Sequence, residues 1–149
     1  MFPAFFTQTV IRTLDWLALR MLPSDQRPTH LHTGVRGEEA AYFHLRKLGY
    51  MIVSRNYRTP RSRGEIDLIA WDGDVLCFVE VKTRTTRDVK TAEAAVDYHK
   101  RREVAQVARE YLRQLPPSCQ WRFDIVSVYY GDRSPRPLIE VFRNASLAA

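Results

Sequence analysis

The chain has 149 residues, which predicts one domain large enough for a single hydrophobic core. Hydrophobic residues make up 45% and charged residues 27%, an ordinary balance for a soluble globular protein. The sequence holds no repeat or low-complexity segment, which excludes a fibrous or repetitive chain. The net charge of +6 favours an anionic partner such as nucleic acid but does not establish one.

The N-terminal segment, residues 1–33, is apolar but predicts neither a transmembrane segment nor a signal peptide. Arg12, Asp15 and Arg20 interrupt it, so no uncharged run reaches the ~18 residues that span a bilayer. Apolar residues instead recur at helical spacing, namely Phe6, Val10, Leu14, Leu17 and Met21. We predict an amphipathic helix followed by a linker. We expect the helix to dock on the domain or on a second copy rather than on a membrane surface.

Cysteine and histidine positions do not indicate a metal site. Cys77 and Cys119 lack metal-type spacing and predict a reduced, cytoplasmic protein. His30 and His32 lie in the Pro-rich linker, so we interpret them as solvated, with metal binding as the lesser alternative.

Beyond the linker the pattern predicts the order helix, three strands, helix and two strands. The first helix is predicted over 36–48 with Gly49 at its end, and the second over 91–115 with Pro116-Pro117 after it. The strands are predicted over 50–57, 65–71, 75–83, 121–130 and 138–142. Because a helix joins the third strand to the fourth, we expect these two to be parallel within a mixed sheet.

Asp72-Gly73, between the second and third strands, predicts a hairpin with a two-residue loop. That loop fixes the register, and the predicted opposite pairs are Trp71–Asp74, Asp67–Phe78 and Glu65–Glu80. Side chains alternate between the faces of a strand, so one face is apolar near the turn and charged at the far end. That face has Glu65, Asp67, Ile69, Trp71, Leu76, Phe78, Glu80 and Lys82. The other face is wholly apolar, with Ile66, Leu68, Ala70, Val75, Cys77, Val79 and Val81.

Glu65, Asp67 and Glu80 would form a cluster of like charge, which destabilises a strand pair. A divalent cation among them would remove the repulsion, and a few oxygen ligands completed by water suit Mg²⁺ or Mn²⁺. Lys82 points the same way as Glu80, and its ammonium can hold an attacking water or offset charge on a phosphate. The alternative is that Lys82 simply pairs with a carboxylate on a solvated face. The conjunction of acidic strands, hairpin, lysine and element order favours the metal site.

The segments GEIDLIA and FVEVKTR resemble the PD-(D/E)xK nuclease superfamily. Together with GVRGEEAA, LGYMIVSRNYR and WRFDIV in the same order, they more closely resemble the YraN-like bacterial family, from Gly34 to about Phe142. The resemblance implies a restriction-endonuclease-like α/β fold, in which helices flank the mixed central sheet of an αβββαβ core. The resemblance also implies that residues 34–149 form a nuclease-like domain.

The resemblance also implies roles for individual residues. Asp67 and Glu80 would hold the metal ion, with the Val81 carbonyl as a third ligand, and Lys82 would be the catalytic lysine. Glu38 matches the first-helix glutamate that joins the site in resolvase-like members. The family pattern also leads us to expect a buried ion pair within the segment RFD, near the site.

Basic residues flank the acidic strands. They are Arg55, Arg58, Arg61 and Arg63 before the second strand and Arg84 at the end of the third. Guanidinium groups bind phosphate oxygens in a bidentate manner, so we predict that these arginines contact nucleic acid. The charges at 100–102 on the second helix fit a solvated face equally well. No zinc finger or recognition helix predicts the reading of base edges.

The prediction is therefore a Mg²⁺- or Mn²⁺-dependent endonuclease that hydrolyses phosphodiester bonds of structured or branched DNA. Cutting two symmetric strands, as a resolvase does, favours a homodimer. The alternative is a catalytically inactive nuclease-fold module that binds nucleic acid or a protein partner. A third interpretation is an adaptor that docks on a partner or a membrane surface through the N-terminal helix.

Overall fold

The computed structural model describes residues 29–84, 98–131 and 136–145. Contacts within the chain separate it into two units, Met1–His32 and Thr33–Ala149. The predicted N-terminal amphipathic helix, and the residues 91–97 predicted to begin the second helix, lie outside the described residues and stay predictions. Within the described ranges, no helix combines the length and the hydropathy needed to span a bilayer.

The first helix, α1 (Thr29–Lys47), begins well before its predicted start at Arg36. The end of the predicted linker, including His30 and His32, is therefore helical. Thr, His and Gly have low helix propensity, which is why the sequence does not reveal the first turns. The helix ends at the predicted glycine, since Gly49 adopts a φ of 94° in the left-handed region that favours this residue.

Five strands form one mixed sheet in the order β1-β2-β3-β4-β5. They are β1 (Met51–Arg58), β2 (Glu65–Asp72), β3 (Val75–Arg84), β4 (Gln120–Tyr129) and β5 (Leu138–Phe142), and α2 (Tyr98–Leu112) lies between β3 and β4 in the chain. β3 and β4 are parallel, whereas the other neighbouring strands are antiparallel. The structure confirms the predicted mixed sheet and the α/β fold with a restriction-endonuclease-like core.

Two hydrophobic clusters pack against the sheet. The α1-side cluster joins Ala41 and Leu45 of α1 to sheet residues that include Leu68, Ala70, Cys77, Val79 and Val126. The α2-side cluster joins Val104, Val107 and Ala108 of α2 to sheet residues that include Ile66, Ile69, Phe78 and Phe123. Each cluster fixes one helix relative to the strands from which the acidic residues project.

The hairpin between β2 and β3 has its two-residue loop at Gly73-Asp74, because Asp72 pairs with Val75. Gly73 has a φ of 59°. A positive φ at the first central position is what a type II′ hairpin turn requires, and glycine adopts it without steric cost. The loop is therefore one residue further along the chain than the sequence suggested.

This loop makes the predicted register of the hairpin wrong by two residues, since Phe78 lies opposite Ile69 and not opposite Asp67. A shift of two residues leaves the alternation of side chains unchanged, because that alternation itself has a period of two. In the observed register, Asp67 comes to the level of Glu80, just beyond the last ladder pair. The correction brings two of the predicted metal ligands closer together.

Asn56 marks an irregularity in β1, with a φ of 48°. The residues on either side of it pair with Leu68 and Ile66, which puts Asn56 opposite Asp67. Leu68 belongs to the α1-side cluster and Ile66 to the α2-side cluster, so the predicted alternation that put both on one face is wrong here. Asp67 therefore lies where the strand pair twists from one face to the other.

Candidate active site

Asp67 lies at the point where β2 and β3 separate. The ladder between these strands ends at the pair Leu68–Val79. Just beyond it, the Val81 N–H donates a hydrogen bond to Asp67 Oδ2 over 2.7 Å. The carboxylate thus satisfies a backbone donor that no longer has a partner on the neighbouring strand, and this bond fixes its position. We call the opening between the strands, with Glu38, Asp67, Glu80 and Lys82, the fork site.

Glu80 is buried and binds two ammonium groups through one oxygen. Its Oε1 accepts a hydrogen bond from Lys82 Nζ over 2.7 Å and forms an ion pair with Lys100 of α2. The Lys82 side chain is 18% exposed and that of Lys100 is 47% exposed, so Lys82 is the inner of the two. Glu80 Oε2 is buried and has no hydrogen-bond partner among the described residues. An unpartnered buried carboxylate oxygen is costly, and a further cation would reduce that cost.

Glu38 brings a third carboxylate to the fork site from α1. Burial is the main cause that raises its pKa, and the charges of Glu65 and Glu80 raise it further. Arg55 and a hydrogen bond to the Asn56 side chain oppose the rise. Glu38 therefore interacts with carboxylates of both β2 and β3, which is the neighbourhood that the family resemblance implied for it.

Asp67 has its pKa raised to about 8. Loss of hydration on burial is the largest cause, and the neighbouring charges of Glu80 and Glu38 add to it. The Val81 N–H and the Lys100 ammonium act in the opposite direction without offsetting the rise. The neighbouring carboxylates therefore disfavour the charged form of Asp67, and a bound cation would stabilise that form.

Glu65 and two of the predicted phosphate-binding arginines already have partners within the protein. Arg58 forms an ion pair with Glu65, which neutralises this predicted metal ligand at the edge of the fork site. The Arg55 guanidinium lies over the ring of Tyr42, 4.6 Å from its centroid. Arg55 therefore sits between the fork site and α1, and Arg58 is the more exposed of the two arginines.

The other three predicted arginines differ in exposure. Arg61 and Arg63 are exposed on the loop between β1 and β2. Arg84 is only partly exposed at the end of β3, and its Nε is buried without a hydrogen-bond partner among the described residues. Of these three, Arg61 and Arg63 are therefore more accessible to a polyanion than Arg84.

Gly37 allows α1 to approach β3 beside the fork site. A Cβ at this position would lie 1.7 Å from Thr83 Oγ1 and 2.8 Å from Thr83 Cβ. Thr83 directly follows Lys82, and Gly37 directly precedes Glu38. The absence of a side chain at Gly37 therefore lets the helix place its glutamate next to the lysine strand.

Replacing Gly37 with alanine should destabilise the fold by roughly 1–3 kcal/mol, because helix and strand must move apart. Gly34→Ala is the matched control in the same helix, since a Cβ there meets nothing within 4 Å. That change should stabilise the fold by about 0.5–1 kcal/mol, as alanine favours a helix over glycine. Urea unfolding of both variants measures the difference. Equal stability of the two variants would contradict the close approach.

The fork site fits a partly hydrated divalent cation rather than a complete protein cage. Within the described ranges, no group of three or more His, Cys, Asp or Glu side chains has metal-binding geometry. Asp67 and Glu80 supply two carboxylates, and one of their oxygens is buried without a partner. Mg²⁺ is typically bound through one or two carboxylates, with waters and substrate phosphates in the other positions. The donor set therefore suits Mg²⁺ or Mn²⁺, and the metal-binding roles stay predictions.

The buried ion pair expected in the segment RFD forms between Arg122 and Asp124. Asp124 lies opposite Val79, the residue before Glu80. Arg122 Nε donates to Asp124 Oδ1 over 2.9 Å, and a second nitrogen of the same guanidinium donates to Asp72 Oδ2 over 2.6 Å. Asp72 adjoins the hairpin loop, at the opposite end of β2 from Asp67. The ion pair therefore starts beside the residue that precedes Glu80 and extends from there towards the hairpin loop, and its closeness to the site stays a prediction.

Three residues around the fork site were missed in the sequence analysis, namely Lys100, Asn56 and Gly37. Lys100 lies in a charged run on a helix, and such a run does not indicate which cation points inward. Asn56 interrupts a strand pattern, and asparagine is enriched among residues with positive φ. The sequence therefore does carry a signal for the irregularity at Asn56. Gly37 inside a helical pattern could have indicated a close packing contact.

Fold and fork site together define a restriction-endonuclease-like α/β domain with carboxylates and a lysine where the second and third strands separate. Over residues 37–128 the sequence matches the model of the uncharacterised protein family UPF0102, and the chain belongs to this family. UPF0102 is the YraN family, so the family resemblance found in the sequence is confirmed.

Relatives within the family extend the match over most of the chain. The chain is 56% identical over 142 residues to a UPF0102 protein of Koribacter versatilis, covering 95% of each. It is 42% identical over 137 residues to one of Solibacter usitatus, covering 90% of this chain and 95% of the relative. A third, from Chlorobaculum tepidum, is 45% identical over 96 residues, or 64% of this chain and 73% of the relative. The first two alignments are long enough to include part of the N-terminal segment.

Proposed function

We propose that the protein is a metal-dependent endonuclease that hydrolyses phosphodiester bonds of structured or branched DNA. One observation supports this most directly: buried Glu80 binds Lys82 through one oxygen and leaves the other unpartnered in the described residues, beside Asp67. Phosphodiester hydrolysis needs ligands for a cation and a positive group near the reacting oxygens. These three side chains are of the types that supply both.

Asp67, Glu80 and the Val81 carbonyl would hold Mg²⁺ or Mn²⁺. A bound cation would supply electrophilic stabilisation of the phosphate under attack. Lys82, which Glu80 holds in place, would orient the attacking water or balance charge on the phosphate. Glu38, whose pKa is raised, would hold this water from the α1 side. Glu65, paired with Arg58, would add its carboxylate only at the edge of the site.

Contact with the DNA backbone would come from the basic residues around the fork site. We assign Arg58, Arg61, Arg63 and Arg84 to phosphates, with Arg55 behind them. This arrangement would let a polyanion approach a cluster of carboxylates that would otherwise repel it. The exposed loop arginines support the assignment.

The test is cleavage of linear, flapped and four-way junction DNA with and without Mn²⁺. We expect cleavage only in the presence of Mn²⁺ or Mg²⁺, and preferential cleavage of the flapped or junction substrate. Cleavage that persists in EDTA would contradict the metal-dependent mechanism. Failure to cut any of the three DNAs with either ion would contradict the proposed activity.

A nucleic-acid or protein-binding module without catalysis is the second candidate. It is favoured by the two lysines on Glu80, which already neutralise this carboxylate without a metal ion. Titration of Mn²⁺ into the wild type and into Asp67→Ala by calorimetry separates the two candidates. Heat that is lost in the variant supports the nuclease, whereas identical titrations of both proteins support the binding module.

We propose that the protein forms a homodimer and that it is located in the cytoplasm. Two symmetric cuts across a branched DNA would require two fork sites. The free thiols of Cys77 and Cys119 support this location, since disulfides are rare in the reducing cytoplasm. Light scattering on the purified chain, with and without junction DNA, measures the oligomeric state.

A further inference from the structure

The exposed side of α2 presents a basic stripe. Its members are Arg102, Gln106, Arg109 and Arg113, all of which are exposed. The spacing i, i+4, i+7, i+11 places them on one face of a helix. Arg113 directly follows the last residue of α2, and its N–H donates to the Arg109 carbonyl over 3.2 Å, so the helical turn continues through it. The acidic residues of this segment, Glu103 and Glu110, each follow a stripe arginine by one position. They therefore point about 100° away from the stripe around the helix axis.

The loop that presents Arg61 and Arg63 is attached to this stripe. Gln106 Nε2 donates a hydrogen bond to the Arg61 carbonyl over 3.3 Å. Directly after these loop arginines, Gly64 contacts the helix backbone so closely that a Cβ there would lie 2.7 Å from the carbonyl carbon of Glu103. The exposed loop arginines and the stripe therefore form one continuous basic surface, which we call the α2 surface.

The α2 surface begins at the fork site. Lys100 of α2 forms the ion pair with Glu80, and Glu65 follows the attached loop directly. At about 1.5 Å of rise per residue, the distance from Lys100 to Arg113 along the helix is about 20 Å. That length equals about six base pairs of duplex at about 3.4 Å each.

We propose that the α2 surface binds the phosphate backbone of a duplex DNA arm adjoining the fork site. A row of guanidinium groups suits regularly spaced phosphates, since each phosphate can be bound by the paired N–H donors of one guanidinium. We assign the surface to the backbone and not to base edges, because its exposed arginines are spaced along the length of α2 and suit successive phosphates. Its role in positioning substrate rests on the proposed function, but its binding of duplex does not require cleavage.

The test is duplex binding by the double variant Arg109→Gln/Arg113→Gln, without divalent ions and at several salt concentrations. The control is Arg46→Gln/Lys47→Gln, which removes the same charge from exposed positions at the end of α1. Loss of two phosphate contacts should lower the slope of log Kd against log salt by about 2 and weaken binding at low salt about tenfold. The control should keep the wild-type slope.

Duplex length gives a second measurement of the same surface. Shortening a duplex arm below about six base pairs should weaken binding by the wild type and leave the double variant almost unaffected. Equal slopes for the wild type and the double variant would overturn the proposal, as would equal losses in the double variant and its control. Because only binding is measured, absence of cleavage by any protein would count against the nuclease assignment and leave this result intact.

Discussion

Lys82→Ala is expected to reduce the rate of DNA cleavage by about 10²–10⁴-fold, the usual loss when a group acting on the reacting atoms is removed. The change leaves the Lys100 ion pair with Glu80 in place, so the buried carboxylate keeps a cationic partner. The loss can therefore be assigned to the missing ammonium and not to an uncompensated charge. Single-turnover rates with saturating protein and Mn²⁺ measure it.

Two controls make this result decisive. Lys47→Ala removes an exposed lysine at the end of α1 and should cleave at the wild-type rate. Binding of the Lys82→Ala variant to DNA should stay within about threefold of the wild type, since one partly buried lysine contributes little to backbone binding. Undiminished cleavage by Lys82→Ala would indicate a contaminating nuclease or an active site elsewhere.

Asp67→Asn is expected to stabilise the metal-free protein by roughly 1–3 kcal/mol at neutral pH. The pKa of Asp67 is raised to about 8 in the folded protein, whereas in the unfolded chain it is about 4. Between these pH values the folded protein holds a proton that the unfolded chain has released. Stability of the wild type therefore falls as pH rises from about 4 to about 8, and the variant lacks this loss.

Thermal unfolding in EDTA across this pH range tests the expectation. The variant should have the higher Tm at pH 8, and the two proteins should converge as the pH falls below about 4, where Asp67 becomes protonated in both states. The amide oxygen introduced by Asp67→Asn would still accept the Val81 N–H, so the backbone contact is retained. Adding Mn²⁺ should raise the Tm of the wild type only. A less stable variant at pH 8 would show that Asp67 contributes to folding and not mainly to binding.

Much of the fold could be predicted because its patterns are local. The strands and the end of α1 were found from alternation and from Gly49. The hairpin register was wrong because both Asp72-Gly73 and Gly73-Asp74 are acceptable turn pairs, and only pairing across the strands decides between them. The two faces near the turn were still predicted correctly, since an error of two residues preserves the alternation.

The geometry of the fork site was less predictable because it depends on tertiary contacts. The twist at Asn56 and Asp67 breaks the alternation on which a strand prediction relies. The position of Glu38 was anticipated only through the family resemblance, since no periodicity relates a helix residue to a strand fork. Lys100 reaches Glu80 because α2 packs on the sheet, and that packing is fixed by apolar residues distant from it in sequence.

The hairpin also has a consequence for the order of folding. Asp67 and the Val81 N–H are 14 residues apart, so the contact between them closes a short loop at little entropic cost. β3 and β4, in contrast, pair in parallel and need a crossover through α2 before they can meet. We expect the carboxylates of β2 and β3 to meet early, while the chain is still collapsing, with Lys82 of β3 beside Glu80 before α2 adds Lys100. The acidic hairpin of the nascent chain would then form early but reach its final structure late, when the crossover helix docks.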